Sequence, residues 1–243
     1  MEAGNLYIVS TPIGNMQDIT IRAIKTLFEV DVIFSEQASK TAMLLTRLAK
    51  DYPTLVPTTK KPRIISFNEF EEEMKIYEVV QLIDAGQNVA LVSEAGTPLI
   101  SDPGFKLVRK AREKEIHVIP VPGASSVIAS LTVSGLPTDK FGFIGFPPKP
   151  IGKKTNFFTK LKTTRERVEK DFLLTIIFFE SPHRIAETLQ VMLEVFGDIE
   201  IVIARELTKI YEEVLRGKIS TLLVDKSIKD PRGEFVVMFN TKN

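Results

Sequence analysis

Five short apolar runs rich in Val and Ile punctuate the first half of the chain: LYIV (6–9), DVIFS (31–35), RIISF (63–67), VALVS (89–93) and IHVIPV (116–121). Runs that are apolar at successive positions, not at alternate ones, fit strands of a parallel sheet covered on both faces. Between them, apolar residues recur three and four apart. That spacing predicts helices over 20–29, 73–86 (with Gly86 just past the end) and 105–115, and a fourth over 125–135. The first half therefore reads as alternating strand and helix, an α/β layer with helices on both faces of a mainly parallel sheet.

After the fourth helix the pattern changes. Runs at 140–146, 173–180, 199–206, 212–224 and 233–240 include neighbours joined by short turns, which predicts antiparallel pairing within a mixed sheet. The change places a domain boundary near 120–124, giving an N-terminal α/β domain over 1–122 and a C-terminal α/β domain over 123–243. There is no internal repeat and no low-complexity tract.

Composition narrows the function classes. At 243 residues, with 26% charged and 44% apolar residues, the chain has the make-up of an ordinary globular protein, and no stretch approaches a membrane span. No signal peptide is legible, and a cytoplasmic location is expected. With no Cys there is no thiol nucleophile, disulfide or thiolate-held metal, and no metal is expected.

Candidate chemistry gathers where the strands of the first half end. Ligands of open parallel sheets bind beyond the carboxyl ends of the strands, and here those ends read STPIGNMQD (10–18), SEQASK (35–40), NEFEEE (68–73), SEAGTPLISDPG (93–104) and PGASS (122–126). Part of this furnishing serves helix entry: SDPG reads as an N-cap, Ser101 or Asp102, followed by Pro103 at the first helical position. EAGTP has no such reading. No G-x-G-x-x-G follows the first strand and no phosphate-loop motif occurs, so neither a dinucleotide nor a nucleoside triphosphate is indicated. Glu36 and Glu94 would repel an anion but could accept from ribose hydroxyls or face a cation. A nucleoside carrying positive charge fits, and S-adenosylmethionine meets that description.

Five blocks carry a resemblance: LYIVSTPIGNMQDITIRAIKTL, VALVSEAGTPLISDPGFKLVRKARE, VIPVPGASSVIASLTVSGLPTDKFGFIGFPP, FFESPHRIAETL and ARELTKIYEEVLRG. Together, from about residue 5 to 238, they resemble the tetrapyrrole methylases, the class III S-adenosylmethionine-dependent methyltransferases. The resemblance is to the branch that methylates the 2′-hydroxyl of a cytidine, position 1402, in 16S ribosomal RNA. It implies two α/β domains, a homodimer, and S-adenosylmethionine in the cleft between the domains. Cofactor contacts are implied at Pro12, Ile13, Gly14, Gly96, Thr97, Ile100, Ala124, Ser125, Ser126, Phe179, Glu180 and Gly233. The chain departs from the family's pattern in reading EQAS at 36–39 where relatives read E-D-T-R, and EAGTP where they read D-A-G-T-P.

Methyl transfer needs an acceptor oxygen held in line and relieved of its proton, and Glu36 and Glu94 are the candidate bases. His183 is read as structural or RNA-contacting, and His117 as an ordinary strand residue. The segment 147–170 is crowded with Lys and Arg and contains Phe157 and Phe158, residue types that neutralise phosphates and stack on unpaired bases. Lys149, Lys153, Lys154, Lys160, Arg205 and Lys209 are the RNA-binding candidates, with 16S RNA or the small ribosomal subunit as partner. A solvated helix with both Phe in the core is the competing reading of the segment, and pairing of Arg205 and Lys209 with Glu206, Glu212 and Glu213 competes for the rest. A small-molecule methylase of the tetrapyrrole type and a cofactor-free RNA-binding factor remain alternatives.

Overall fold

A computed structural model describes residues 3–56, 61–68, 71–166 and 174–240. Residues 69 and 70 of the third strand-end loop, 167–170 of the basic segment and residue 173 lie outside the described residues. The chain divides into two compact units, Met1–Ser125 and Ser126–Asn243, a boundary slightly later than the one expected after residue 122. The reason is local. Thr97 Oγ1 donates to Ala124 O at 3.0 Å, and Gly123 lies so close to Ser10 that an added Cβ would stand 2.9 Å from the Ser10 Cβ. The residues after the fifth strand are thereby held in the first unit.

The first unit is built on five strands, β1 (Leu6–Val9), β2 (Val32–Ser35), β3 (Arg63–Ser66), β4 (Val89–Val92) and β5 (Val118–Val121). They lie in the order β3-β2-β4-β1-β5, and every pair is parallel, as the uninterrupted apolar runs predict. Successive side chains go to opposite faces. Val9, Ile33, Ala90 and Val92 pack with Ala23, Ile24 and Leu27 of α1 (Ile21–Glu29) and with Leu45 and Leu48 of α2 (Ala38–Asp51). Leu6, Val32, Phe34 and Leu91 pack with Val79 and Ile83 of α3 (Glu72–Asp84) and Leu107 and Ala111 of α4 (Phe105–Glu113). Helix α1 starts where the Thr20 hydroxyl accepts from the Ala23 N–H at 3.0 Å. Helix α2 is not among the helices that the spacing picked out. It buries only Thr41, Leu45 and Leu48, too narrow a stripe to stand out in the sequence.

Two local readings change. Ser101 and Asp102 do not cap α4. Its N-cap is Gly104, at φ 126°, and the Gly104 N–H is met at 3.2 Å by the buried carboxylate of Glu72 from α3, which also pairs with Lys106 at 3.4 Å. At the sheet edge, β5 contains Pro120, which a central strand would not tolerate. Leu6 N donates to His117 O at 3.0 Å and Ser10 N to Val121 O at 3.1 Å, so the odd-numbered residues bond inward to β1 and Pro120 turns its ring nitrogen outward. Its carbonyl accepts from Arg22 at 3.4 Å.

The second unit carries α5 (Ser126–Ser134), β6 (Phe141–Phe143), α6 (Ile151–Glu166), β7 (Thr175–Glu180), α7 (Ile185–Phe196), β8 (Glu200–Arg205), β9 (Glu213–Lys218) and β10 (Phe235–Asn240). The order is β6-β7-β10-β8-β9, with β6 parallel to β7 and the other pairs antiparallel: the expected mixed sheet. The apolar run at 212–224 is not one strand, since the chain turns into α8 (Ile219–Leu222) after Lys218. The core joins Phe178, Phe235, Val237 and Phe239 to Leu189 and Met192 of α7 and to Phe158 of α6. Phe158 is fully buried and Phe157 packs against the same cluster, so neither is a stacking surface for RNA: the two apolar residues anchor α6 to the core.

Gly104→Ala is expected to destabilise the first unit by more than about 1 kcal/mol, because a Cβ at φ 126° would also stand 2.5 Å from Leu91 Cδ2. A urea midpoint equal to that of the parent chain would show that another conformation serves the α4 entry as well.

Candidate active site

Parallel strands leave the polar groups of their exit loops without ladder partners, and in the first unit those loops satisfy one another. Thr11 N donates to Gly96 O at 2.9 Å and Gly96 N to Thr11 O at 3.1 Å, an isolated bridge joining the loops after β1 and β4. The Ser10 and Thr97 hydroxyls lie 3.0 Å apart, and the Thr97 hydroxyl donates to Ala124 O in the loop after β5. Thr11 Oγ1 also donates to Ser93 O at 3.4 Å. Gly96 is at φ 80°, where L side chains are strained, and a Cβ there would approach Ile13 Cγ2 to 3.2 Å. Of the residues implied by resemblance, the structure thus gathers Ile13, Gly96, Thr97 and Ala124. Pro12 is buried and Gly14 exposed in the same loop; Ile100 is exposed further along the loop after β4.

Beside this junction stands a group of carboxylates. Glu36 and Glu94 follow β2 and β4, and Asp102 lies in the last part of the loop after β4. Lys40 of α2 pairs with Glu94. Asp102 is pushed up from 3.8 to about 6. Partial burial is the largest cause, the charge of Glu36 follows, and a hydrogen bond with Ser93 opposes them, while Glu94 adds a smaller push upward. The loop that presents Asp102 holds two non-glycine residues at positive φ, Leu99 (72°) and Ser101 (66°). Strained backbone of this kind persists only where surroundings enforce it. Among the described residues no group of three His, Cys, Asp or Glu side chains could hold a metal ion.

Asp102 is the functional candidate that the sequence did not disclose. In SDPG it looks like a helix cap, and only the structure shows that the N-cap is Gly104 and that Glu36 and Glu94 are the electrostatic neighbours of Asp102. Ser10, Thr11 and Ser93 were legible as members of strand-end loops but not as the atoms that stitch those loops together.

In the second unit, Phe179, next to last in β7, lies between two rings, 4.7 Å from Phe143 and 5.5 Å from Phe146 by centroids. The Glu180 carboxylate is buried, accepts from Ser181 N (2.8 Å) and Thr188 Oγ1 (2.6 Å), and pairs with Arg184 at 3.3 Å, so its side chain is engaged within its own unit. At Gly233, φ 85°, a Cβ would stand 2.3 Å from the Glu206 carboxyl carbon, so the glycine makes room for Glu206. Ser125 closes the first unit and Ser126 opens α5.

The basic candidates separate as sharply. Lys149, Lys153 and Lys160 are exposed. Lys154 is fully buried and paired with Glu187 of α7, so it presents no charge to an RNA and is withdrawn from the RNA-binding set. Arg205 is held by Glu213 at 3.0 Å and by Arg232 O at 3.0 Å. Lys209 pairs with Glu206 at 2.8 Å and with Glu234 at 3.1 Å. Burial alone would lower the Lys209 pKa, yet it is raised, because those hydrogen bonds and charges outweigh it. Arg205 and Lys209 are thus engaged in ion pairs around the turn after β8. No helix among the described residues is long and apolar enough to cross a membrane.

The sequence profile of the tetrapyrrole (corrin/porphyrin) methylases matches residues 5–223. A relative from Thermotoga maritima, named ribosomal RNA small subunit methyltransferase I, is 43% identical over 98% of this chain and 99% of its own length. A protein of that name from Bacillus subtilis is 38% identical over 100% of this chain and 77% of its own length. The crystal structure of uroporphyrin-III-C-methyltransferase from Thermus thermophilus superposes with a TM-score of 0.62 at 18% identity, covering 98% of this chain and 95% of that one, a likeness of fold.

Because Asp102 binds its proton more tightly in the folded chain than the ordinary 3.8, its contribution to stability is full below that value and is lost as pH rises through about 6. Asp102→Asn is therefore expected to raise the melting temperature above that of the parent at about pH 7.5, with the gain shrinking as the pH falls from 6 toward 3.8. A difference that stays constant between those values would remove the raised proton affinity of Asp102 from the account.

Proposed function

The chain belongs to the tetrapyrrole (corrin/porphyrin) methylase family, and on that footing we propose that it transfers a methyl group from S-adenosylmethionine to a ribose 2′-hydroxyl of small-subunit ribosomal RNA. The carrying observation is the carboxylate group of Glu36, Glu94 and Asp102 beside the stitched loops of β1, β4 and β5. Such a site suits a cationic nucleoside and disfavours phosphate. The names of the relatives supply the class of acceptor and make a tetrapyrrole acceptor the less favoured reading. Cytidine 1402, a homodimer and a cytoplasmic setting complete the proposal on the strength of the sequence resemblance.

The residues present fit the donor: a glycine at positive φ, a hydroxyl relay and acidic side chains, with no phosphate loop. When bound, S-adenosylmethionine supplies a methyl group already activated by its sulfonium. Ile13, Gly96, Thr97 and Ala124 would hold it, with Pro12, Gly14, Ile100, Ser125, Ser126 and Phe179 kept as further contacts from the resemblance. Glu36 and Glu94 favour positive charge at the site, and burial, with the charge of Glu36 and a smaller push from Glu94, raises Asp102 to about 6. A carboxylate so tuned can accept the proton of a hydroxyl above pH 6, which makes Asp102 a third candidate base beside Glu36 and Glu94.

The decisive experiment incubates the purified chain with methyl-labelled S-adenosylmethionine and small ribosomal subunits from a strain lacking the endogenous methyltransferase, then maps the RNA by mass. One added methyl on a ribose is expected; label in no nucleotide, with cofactor binding intact, would return the small-molecule reading. Gly96→Val is expected to weaken cofactor binding in calorimetry by at least about 10-fold, since a branched side chain at φ 80° disturbs the Thr11 bridge. Retained affinity would detach this loop from the site. Replacing Lys149, Lys153 and Lys160 together by Glu is expected to weaken RNA binding and flatten its salt dependence by about one unit of log–log slope for each phosphate no longer neutralised. An unchanged slope would make these lysines solvated surface.

A further inference from the structure

The second unit contains an aromatic ring that is displayed instead of buried. Phe146 is 51% exposed although it belongs to a three-ring cluster, with Phe179 between it and Phe143 at interplanar angles near 60° (62° and 61°). Edge contacts of this kind steady a ring while leaving a face free.

The display is held firmly. Phe179 N donates to Gly145 O at 3.0 Å, so the chain stays alongside β7 past the end of β6, and Gly145, at φ 67°, turns it there. Pro147 and Pro148 follow at once, and the Arg184 guanidinium donates to both carbonyls, at 2.5 and 3.3 Å. Arg184 is itself held by the buried Glu180, whose carboxylate also accepts from Thr188. The chain of contacts from Thr188 through Glu180 and Arg184 to the prolines explains why an ionised pair is retained in the interior: it fixes the turn that carries Phe146.

The surroundings point to one kind of occupant. From Ile144 to Thr164 the sequence contains no Asp or Glu, and Lys149 and Lys153 are exposed three and seven residues beyond the ring. The nearby Glu180 is buried and paired. An apolar face with exposed cations and no exposed carboxylate in its own segment complements an unpaired nucleotide, base on the ring and phosphates on the lysines. We infer that Phe146 is the stacking platform for an unpaired base of the RNA acceptor, held in place by Arg184 and Glu180. This rests on the functional reading above and deepens it by naming what grips the acceptor.

The test uses the full chain and four readouts: filter binding to deproteinised small-subunit RNA, calorimetry with S-adenosylmethionine, thermal melting and light scattering. Phe146→Ala and Phe146→Leu are each expected to weaken RNA binding about 10-fold or more, and Phe146→Trp to restore it, with cofactor affinity, melting temperature and mass unchanged. RNA binding by Phe146→Leu equal to the parent would overturn the inference, because a non-aromatic residue of similar bulk would then suffice. Weaker S-adenosylmethionine binding in Phe146→Ala would assign the ring to the cofactor, and an altered mass would assign it to a second copy of the chain; either result overturns it. If the parent chain binds the cofactor but not the RNA, the functional reading fails and this inference with it, whereas loss confined to the variants with an intact parent tests the ring alone.

Discussion

The backbone bridge between Thr11 and Gly96 is the constraint on which the first unit's chemistry rests. Two loops leaving neighbouring strands must satisfy polar groups that no ladder can reach, and they do so by pairing with each other, which requires positive φ at Gly96. Once that bridge is set, Thr97 is placed between Ser10 and Ala124, and the third loop is drawn in. The remaining length of the β4 loop then has to reach α4 from a fixed start, and it does so through Leu99 and Ser101 in unusual backbone conformations, with Asp102 carried along.

Each unit is furnished with the charge that one reactant would call for. The strand ends of the first unit carry carboxylates, and the exposed part of the Ile144 to Thr164 segment carries only cations. The near-zero formal net charge of +1 hides this division. Under the proposed function this contrast would suit a cationic donor and a polyanionic acceptor, and it is invisible in the total charge.

What the sequence disclosed followed physical period. The strands of the first half were legible because parallel strands covered on both faces, as β2 and β4 are, do not alternate, whereas in the mixed sheet only β8 and β9 are joined by a turn and β10 pairs with strands distant in sequence. The failures have causes of the same kind. Helix α2 buries too few residues to signal itself. Lys154 and Lys153 are adjacent and chemically identical in sequence, yet one faces Glu187 inside and the other faces water, a difference set by helical phase against α7. The crowding of Gly233 by the Glu206 carboxyl was hidden because the two are distant in sequence. Asp102 was masked by a cap motif that the fold does not use, since α4 starts at Gly104. Local patterns report a residue's neighbours along the chain, while pairing and proton affinity depend on neighbours across it.

Pro120 has a consequence for how copies of this molecule can meet. An open parallel sheet ends in a row of amide groups able to template a foreign strand, the usual route to misassembly while a chain is folding or crowded. On the outer side of β5 that row lacks a donor at Pro120 and has its acceptor there already engaged by Arg22. Sheet continuation is therefore disfavoured at this rim, and two chains that meet at β5 would do so through side-chain surfaces and not through a shared ladder.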